Sequence, residues 1–323
     1  HLPFDNLRVN VRRMALSIYT HPSSHDHVTP PGHPERVARI ETVDRVLQSD
    51  AFAGLDRIQA PAATNAQLIR AHTERYVEGI IAAAPDDGWA SLDGDTHMSP
   101  GSLTAARHAA GSNIAAVETV MAQGGAAFCA VRPCGHHAER ERAMGFCLFS
   151  NIAVGALHAL DHLGAGRIAI MDFDVHHGNG TQDIFWDDPR VMFSSTHQMP
   201  LFPGTGAAGE TGEHDNIFNA PLKPMTGTAE MRAAFENRVM PAIRAHEPDL
   251  IMISAGFDAH AADPLANLMW TAKDFRWATQ RLCDLSAELC EGRVVSTLEG
   301  GYDLDGLAES VTAHLEVLSE HAA

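Results

Sequence analysis

The stretch Ile168–Gly180 (IAIMDFDVHHGNG) constrains the fold more than any other part of the chain. An apolar run of the kind that forms a buried strand leads into Asp172, Asp174 and His176 at alternating positions. Side chains alternate across a strand, so these three are expected on one face. Gly178 and Gly180 then break the run, as where a buried parallel strand emerges into a loop. Two carboxylates and an imidazole at the carboxyl end of such a strand suit a catalytic metal site. The segment reads as part of a metallohydrolase.

The rest of the chain repeats the strand-then-helix rhythm. Helices are expected at 102–123, 151–163, 230–246, 273–290 and 304–318. Strands are expected at 14–19, 126–131, 167–173, 190–195, 249–254 and 294–298. That order predicts an α/β fold with one mostly parallel central sheet and helices on both faces. The longer loops, 20–34, 84–101, 132–147, 197–227 and 256–270, are rich in Gly and Pro. In doubly wound sheets ligands gather beyond the carboxyl ends of the strands, where several of these loops would meet. No repeat or Pro/Ser-rich linker divides the chain, so a single domain is expected over 14–323. Residues 1–13 read as an N-terminal extension, upstream or added.

Composition narrows the function classes. A net charge of −18 disfavours direct nucleic-acid binding and would attract a cationic substrate, although an acidic surface also simply aids solubility. No apolar run approaches the roughly 18 residues that span a bilayer. Cys129, Cys134, Cys147, Cys283 and Cys290 are odd in number with no C-x-x-C pair, which fits a reducing cytoplasm without a disulfide framework. His21, His25 and His27 read as a solvated loop rather than a metal cluster. Cys134 and Cys147 are expected to flank the pocket as small buried thiols.

Three further strand ends deliver polar residues to loops: Ala130–Glu139 (AVRPCGHHAE), Leu250–Asp258 (LIMISAGFD) and Val294–Tyr302 (VVSTLEGGY). Together with GHPER at 32–36, GFC at 145–147 and FPGTG at 202–206, they make the chain similar to the histone deacetylase family of arginase-like zinc amidohydrolases. The likeness is to its class II and bacterial deacetylase-like branch and runs from about Tyr19 to the last helix.

The resemblance implies the following roles. Asp174, His176 and Asp258 would hold one catalytic Zn²⁺, leaving a coordination position open for water and substrate. His137 would be the general base and His136 a partner near the leaving amine; which of the two protonates that amine stays open. Asp172 would orient His136 and Asn179 would orient His137. An amide at 179, where other branches carry aspartate, marks the class II-like branch and leaves His137 less basic. Tyr302 would donate to the substrate carbonyl. Phe146 and Phe202 would wall the acyl-lysine tunnel, and the Gly145 carbonyl would accept the substrate amide. Asp95 would grip the substrate backbone at the rim, with Asp93 two residues away. Arg36 would line a product-release channel. Leu265 stands where polyamine-selective relatives carry a glutamate. Potassium is expected at an inner site of Asp172, Asp174, His176, Ser195 and Thr196, and at an outer site of Phe185, Asp188, Val191 and Asn216.

The favoured activity is hydrolysis of N-acetyl-lysine in proteins or peptides, releasing acetate. An acetylpolyamine or other small acylated amine is the alternative substrate. An inactive acyl-lysine-binding protein and a two-metal arginase-like hydrolase are weaker readings. A homo-oligomer is compatible with all of these.

Overall fold

The computed structural model describes residues 16–323. The expected extension 1–13 and the first residues of the strand at 14–19 lie outside the described residues. The strands are β1 (Ser17–Thr20), β2 (Asp56–Gln59), β3 (Ala90–Ser91), β4 (His97–Met98), β5 (Ala126–Cys129), β6 (Ile168–Asp172), β7 (Val191–Gln198), β8 (Ile217–Leu222), β9 (Leu250–Ala255) and β10 (Val294–Leu298). β3 and β4 form a small antiparallel ladder. The other eight form one parallel sheet in the order β2-β1-β5-β10-β9-β6-β7-β8. The expected α/β architecture is therefore present as one domain.

That order decides where chemistry can sit. β5, β10, β9 and β6 are the four central neighbours, and they precede the four polar loops singled out in the sequence. In a parallel sheet all four loops leave from the same edge. The site is thus a product of topology.

Strand alternation assigns the two sheet faces to two cores. Ala169, Met171, Ile251 and Ile253 pack with Ile40, Phe235, Leu282 and Leu315 on one side. Ile168, Ile170, Leu250 and Met252 pack with Ala109, Ile114, Ile152 and Val154 on the other. The helices are thereby divided: Ala38–Leu47, Ala272–Leu289 and Leu304–Ala322 cover one face, and Ser102–Gln123 and Asn151–His162 the other.

Ladder pairing in β6 stops at Asp172, so Asp174 and His176 lie beyond the strand rather than in it. The alternation nonetheless continues. Phe173 and Val175 stay in the first core, which leaves Asp172, Asp174 and His176 to the opposite side. Phe173 stacks edgewise on Phe257 at 6.0 Å, and Phe257 lies 5.3 Å from Phe275. Burying each ring contributes on the order of 1.5–3 kcal/mol. The segment that carries the acids is therefore anchored by its intervening aromatic.

Two elements differ from expectation. The helix expected at 230–246 starts at Thr228 and contains a π-helical turn at Phe235–Val239. Pro241 follows closely; lacking an N–H and crowding the carbonyl one turn back, it favours such a widened turn. β8 lies inside the expected loop 197–227; its Pro221 is tolerated because β8 is an edge strand.

Candidate active site

Asp174, His176 and Asp258 come together as one buried group, their candidate donor atoms all within 4.8 Å of one another. His176 Nδ1 lies 3.2 Å from Asp174 Oδ1 and 3.0 Å from Asp258 Oδ2. Backbone N–H groups fix both carboxylates: Gly300 donates to Asp174 Oδ2 at 2.8 Å, and Val175 to Asp258 Oδ1 at 2.8 Å. Glycine is required beside them. A Cβ on Gly256 would come 2.0 Å from Asp174 Oδ2, and one on Gly300 2.2 Å from Asp258 Oδ2.

The electrostatics of this group call for a cation. Burial and the Asp174 charge push Asp258 up to about 7. Burial alone would lower His176, but hydrogen bonds to Asp174 and Asp258 take it up to about 10. Burial likewise raises Asp172 to about 6 and Glu299 to about 7. So many buried acids in one place are stable only with protons or with metal. Two carboxylates and one imidazole, with an approach from the cavity described below, fit a catalytic divalent ion such as zinc.

His136 and His137 lie beside this group with ring centroids 4.0 Å apart. His136 Nδ1 donates to Asp172 Oδ2 at 2.9 Å, and His137 Nδ1 donates to Asn179 Oδ1 at 2.8 Å. Both orienting partners are thus where the sequence suggested. Their effects differ in sign. Burial would lower both imidazoles, but Asp174 and Asp172 hold His136 well above its ordinary value. For His137 burial, His136 and His176 all act in the lowering direction, and the neutral Asn179 does not compensate. The His137 imidazole is therefore held well below its ordinary value.

A cavity of about 240 Å³ reaches this chemistry from the surface. Its lining includes Asp95, His137, Gly145, Phe146, His176, Phe202, Leu265 and Tyr302. The Phe146 ring meets that of Tyr302 edgewise at 5.9 Å, and the Phe202 ring meets that of His137 at 5.1 Å. Gly145 adopts φ +56°, and a Cβ there would come 2.4 Å from His137 Cδ2. Of Asp93 and Asp95, only Asp95 lines the cavity. The Asp93 carboxylate instead turns back to accept from the N–H groups of Asp95 and Thr96.

Several sequence expectations are relocated. Arg36 is exposed, whereas Arg39 is the buried arginine at the Gly300–Tyr302 turn. Arg39 donates to the carbonyls of Gly301 and Glu299 at 2.6 and 2.5 Å, and its guanidinium lies 4.9 Å from the Tyr302 ring centre. His27 is buried rather than solvated, with Nδ1 2.6 Å from Ser102 Oγ. The carbonyls of Phe185, Asp188 and Val191 converge at 2.8, 3.2 and 2.9 Å on Asn216 Nδ2. The Asn216 amide stands at that point, and its buried Oδ1 has no partner. The buried Thr196 hydroxyl lacks a partner. Ser195 and Thr196 are adjacent in β7, and the Ser195 hydroxyl lies 2.9 Å from His197 Nδ1. All five cysteines are free and buried, with Cys134 and Cys147 sulfurs 3.3 Å apart beside the pocket.

Residues without an assigned role in the sequence support the site. Glu299 Oε2 accepts from the backbone N–H of Gly135 and His136 at 2.7 and 3.2 Å, tying two of the strand ends together. Asp263 accepts from the N–H of Tyr302 at 2.7 Å and of Leu265 at 3.0 Å. Glu35 bridges Arg39 and Arg132 in the interior. A glutamate directly after a buried strand was the available signal for Glu299; Asp263 and Glu35 sit in loops whose paths the sequence does not specify.

Residues 33–318 match the model of the histone deacetylase domain. A histone deacetylase-like amidohydrolase of Pseudomonas aeruginosa is 39% identical over 286 residues, covering 85% of this chain and 74% of that one. A probable deacetylase of Archaeoglobus fulgidus is 36% identical over 300 residues, covering 91% and 83%. An uncharacterized Synechocystis protein is 41% identical over 296 residues, covering 90% and 95%. The crystal structure of the HDA15 HD domain superposes with a TM-score of 0.90 at 34% identity, covering 95% of this chain and 89% of that one.

Proposed function

Because the chain belongs to the histone deacetylase family of deacetylases and amidohydrolases, we propose that it removes the acetyl group from N-acetyl-lysine in peptides or proteins. The observation that carries this reading is the cavity that brings two aromatic rings together with His137, His176 and Tyr302. Its Phe146 and Phe202 walls suit a slender aliphatic chain, and it ends at His137, His176 and Tyr302. A lysine side chain delivers its amide nitrogen to such an end while its backbone stays at the rim, near Asp95.

Asp174, His176 and Asp258 would hold zinc, which when bound supplies a Lewis acid for water and the amide carbonyl. The rest falls to the chain's own groups. His137, kept neutral by burial and an uncharged partner, takes the proton of the attacking water at Nε2. His136, with Asp172 behind it, stands beside the departing amine. The Tyr302 hydroxyl donates to the oxygen on which charge develops, a contact worth about 2.7–4 kcal/mol in such sites. The Gly145 carbonyl accepts the substrate amide. A potassium ion would be held by Asp172, Asp174, His176, Ser195 and Thr196, largely through backbone oxygens.

Against a polyamine substrate, Leu265 offers no carboxylate for a second amine. Parallel kinetics on an acetyl-lysine peptide, acetylputrescine and acetylspermidine test the choice. The peptide should have the higher kcat/KM; a markedly higher value for either polyamine would reverse it.

A further inference from the structure

A second hollow, about 600 Å³ in volume, lies against the catalytic cavity and shares Leu265 and Tyr302 with it. Its walls are the segment from Val28 to Ala38 and the Pro264–Leu265 loop, including Pro30, Pro31 and Pro34. Proline walls are stiff and cannot donate backbone hydrogen bonds, which suits side-chain contact more than strand addition. His33 joins the two hollows: it lines the larger one, its ring meets Phe146 at 4.7 Å, and its Nε2 donates to the Asp95 carbonyl at 2.9 Å. Val28 and Trp89 are exposed along this side, linked by a hydrogen bond from Trp89 Nε1 to the Val28 carbonyl.

Charge gives the hollow a direction. Arg36 is the one guanidinium lining either hollow, and Asp95 the one carboxylate. The chain has 41 acidic against 23 basic residues, and several of its surface arginines are engaged. Arg140, Arg167, Arg190, Arg244, Arg276 and Arg281 each pair with a carboxylate. Arg36 is exposed and has no carboxylate partner among the described residues. An unpaired cation beside an apolar hollow, in a chain this acidic, complements an anion carried on an apolar stem.

Resting on the acyl-lysine reading above, we propose that this hollow is a side-chain subsite for an acidic residue flanking the acylated lysine, with its carboxylate set on Arg36. Successive residues of an extended peptide advance by roughly 3.3–3.6 Å. A side chain one or two positions from the lysine therefore reaches a hollow that shares a wall with the tunnel.

Acetyl-lysine peptides identical except for Glu, Gln or Lys at each of the two positions on either side provide the test. At one of those positions the wild-type protein should favour Glu over Lys by roughly two- to fivefold in kcat/KM, the size of a partly exposed ion pair. That ratio should fall to near one in Arg36→Gln and invert in Arg36→Glu, and it should shrink with added salt. Peptides turned over with equal kcat/KM, or a Glu preference that persists in Arg36→Gln, would overturn the subsite alone. Failure of every peptide while acetylspermidine is hydrolysed would overturn the acyl-lysine reading and the subsite with it.

Discussion

Replacing Glu35 with glutamine should destabilise the protein and loosen its catalytic turn together. Glu35 is fully buried and accepts from Arg132 through Nε and Nη2, at 2.5 and 2.6 Å, and from Arg39 Nη1 at 3.0 Å. Burial by itself would raise its carboxyl, but Arg132 and His27 hold it well below the usual carboxylate range. Glutamine keeps the shape and removes the charge, leaving two buried guanidinium groups without a counterion. Breaking such a pair from one side costs about 3–5 kcal/mol. With an unfolding entropy of roughly 2.1 cal/mol/K per residue, a domain of this size should lose about 5–8 °C in Tm. The carboxyl is depressed in the folded state, so its contribution is complete above the unfolded carboxylate range and lost only as pH falls through the folded value. The Tm gap should therefore persist in mildly acidic buffer and close only under strong acid. Arg39 also holds the carbonyls of Gly301 and Glu299, so kcat should fall while the Tyr302 turn relaxes. Thermal denaturation from neutral to strongly acidic pH, with kcat on the same samples, measures both. A Tm within about 1 °C of wild type would refute the idea that this interior charge is structurally required.

Three further perturbations separate the roles within the site. Tyr302→Phe should reduce kcat by about 10²–10³ with little change in Tm, because it removes one donor to the developing oxyanion; wild-type kcat would exclude that role. Gly145→Ala should abolish most turnover, since the new Cβ meets the His137 ring and strains a positive φ; a kcat within twofold of wild type would show that the ring is not held there. Asn179→Asp places a carboxylate against His137 Nδ1 and should raise that imidazole's pKa, moving the acid limb of the kcat/KM profile to higher pH. An unmoved limb would mean that His137 is not the base it reports.

The sequence was most legible where burial is strongest. The strands at 250–255 and 294–298 are buried and open on apolar runs, and the strand at 168–172 announces its own end with acids and glycines. Edge strands were harder. Asp56–Gln59 is exposed throughout, and Ile217–Leu222 carries Asn219 and Pro221, so neither shows the apolar signature that central strands must have. Within the site, Asp174, His176 and Asp258 stood out because they follow buried strands closely, while the roles given to Asp172 and Asn179 came from the family resemblance. Arg39 was not, since Arg36 and Arg39 look alike in sequence and only the helix phase, set by packing of Ile40 and Val43, decides which is buried. Glu35 and Asp263 act across long separations through loops, and local pattern carries no record of such contacts.

The most direct test of the account is divalent-metal content measured together with acetate release from an acetyl-lysine peptide. Wild-type protein should hold one divalent ion per chain, lose acetate release on chelation and recover it with added zinc, whereas Asp258→Ala should bind no ion and release no acetate. Undiminished acetate release from metal-stripped protein, or from Asp258→Ala, would contradict it.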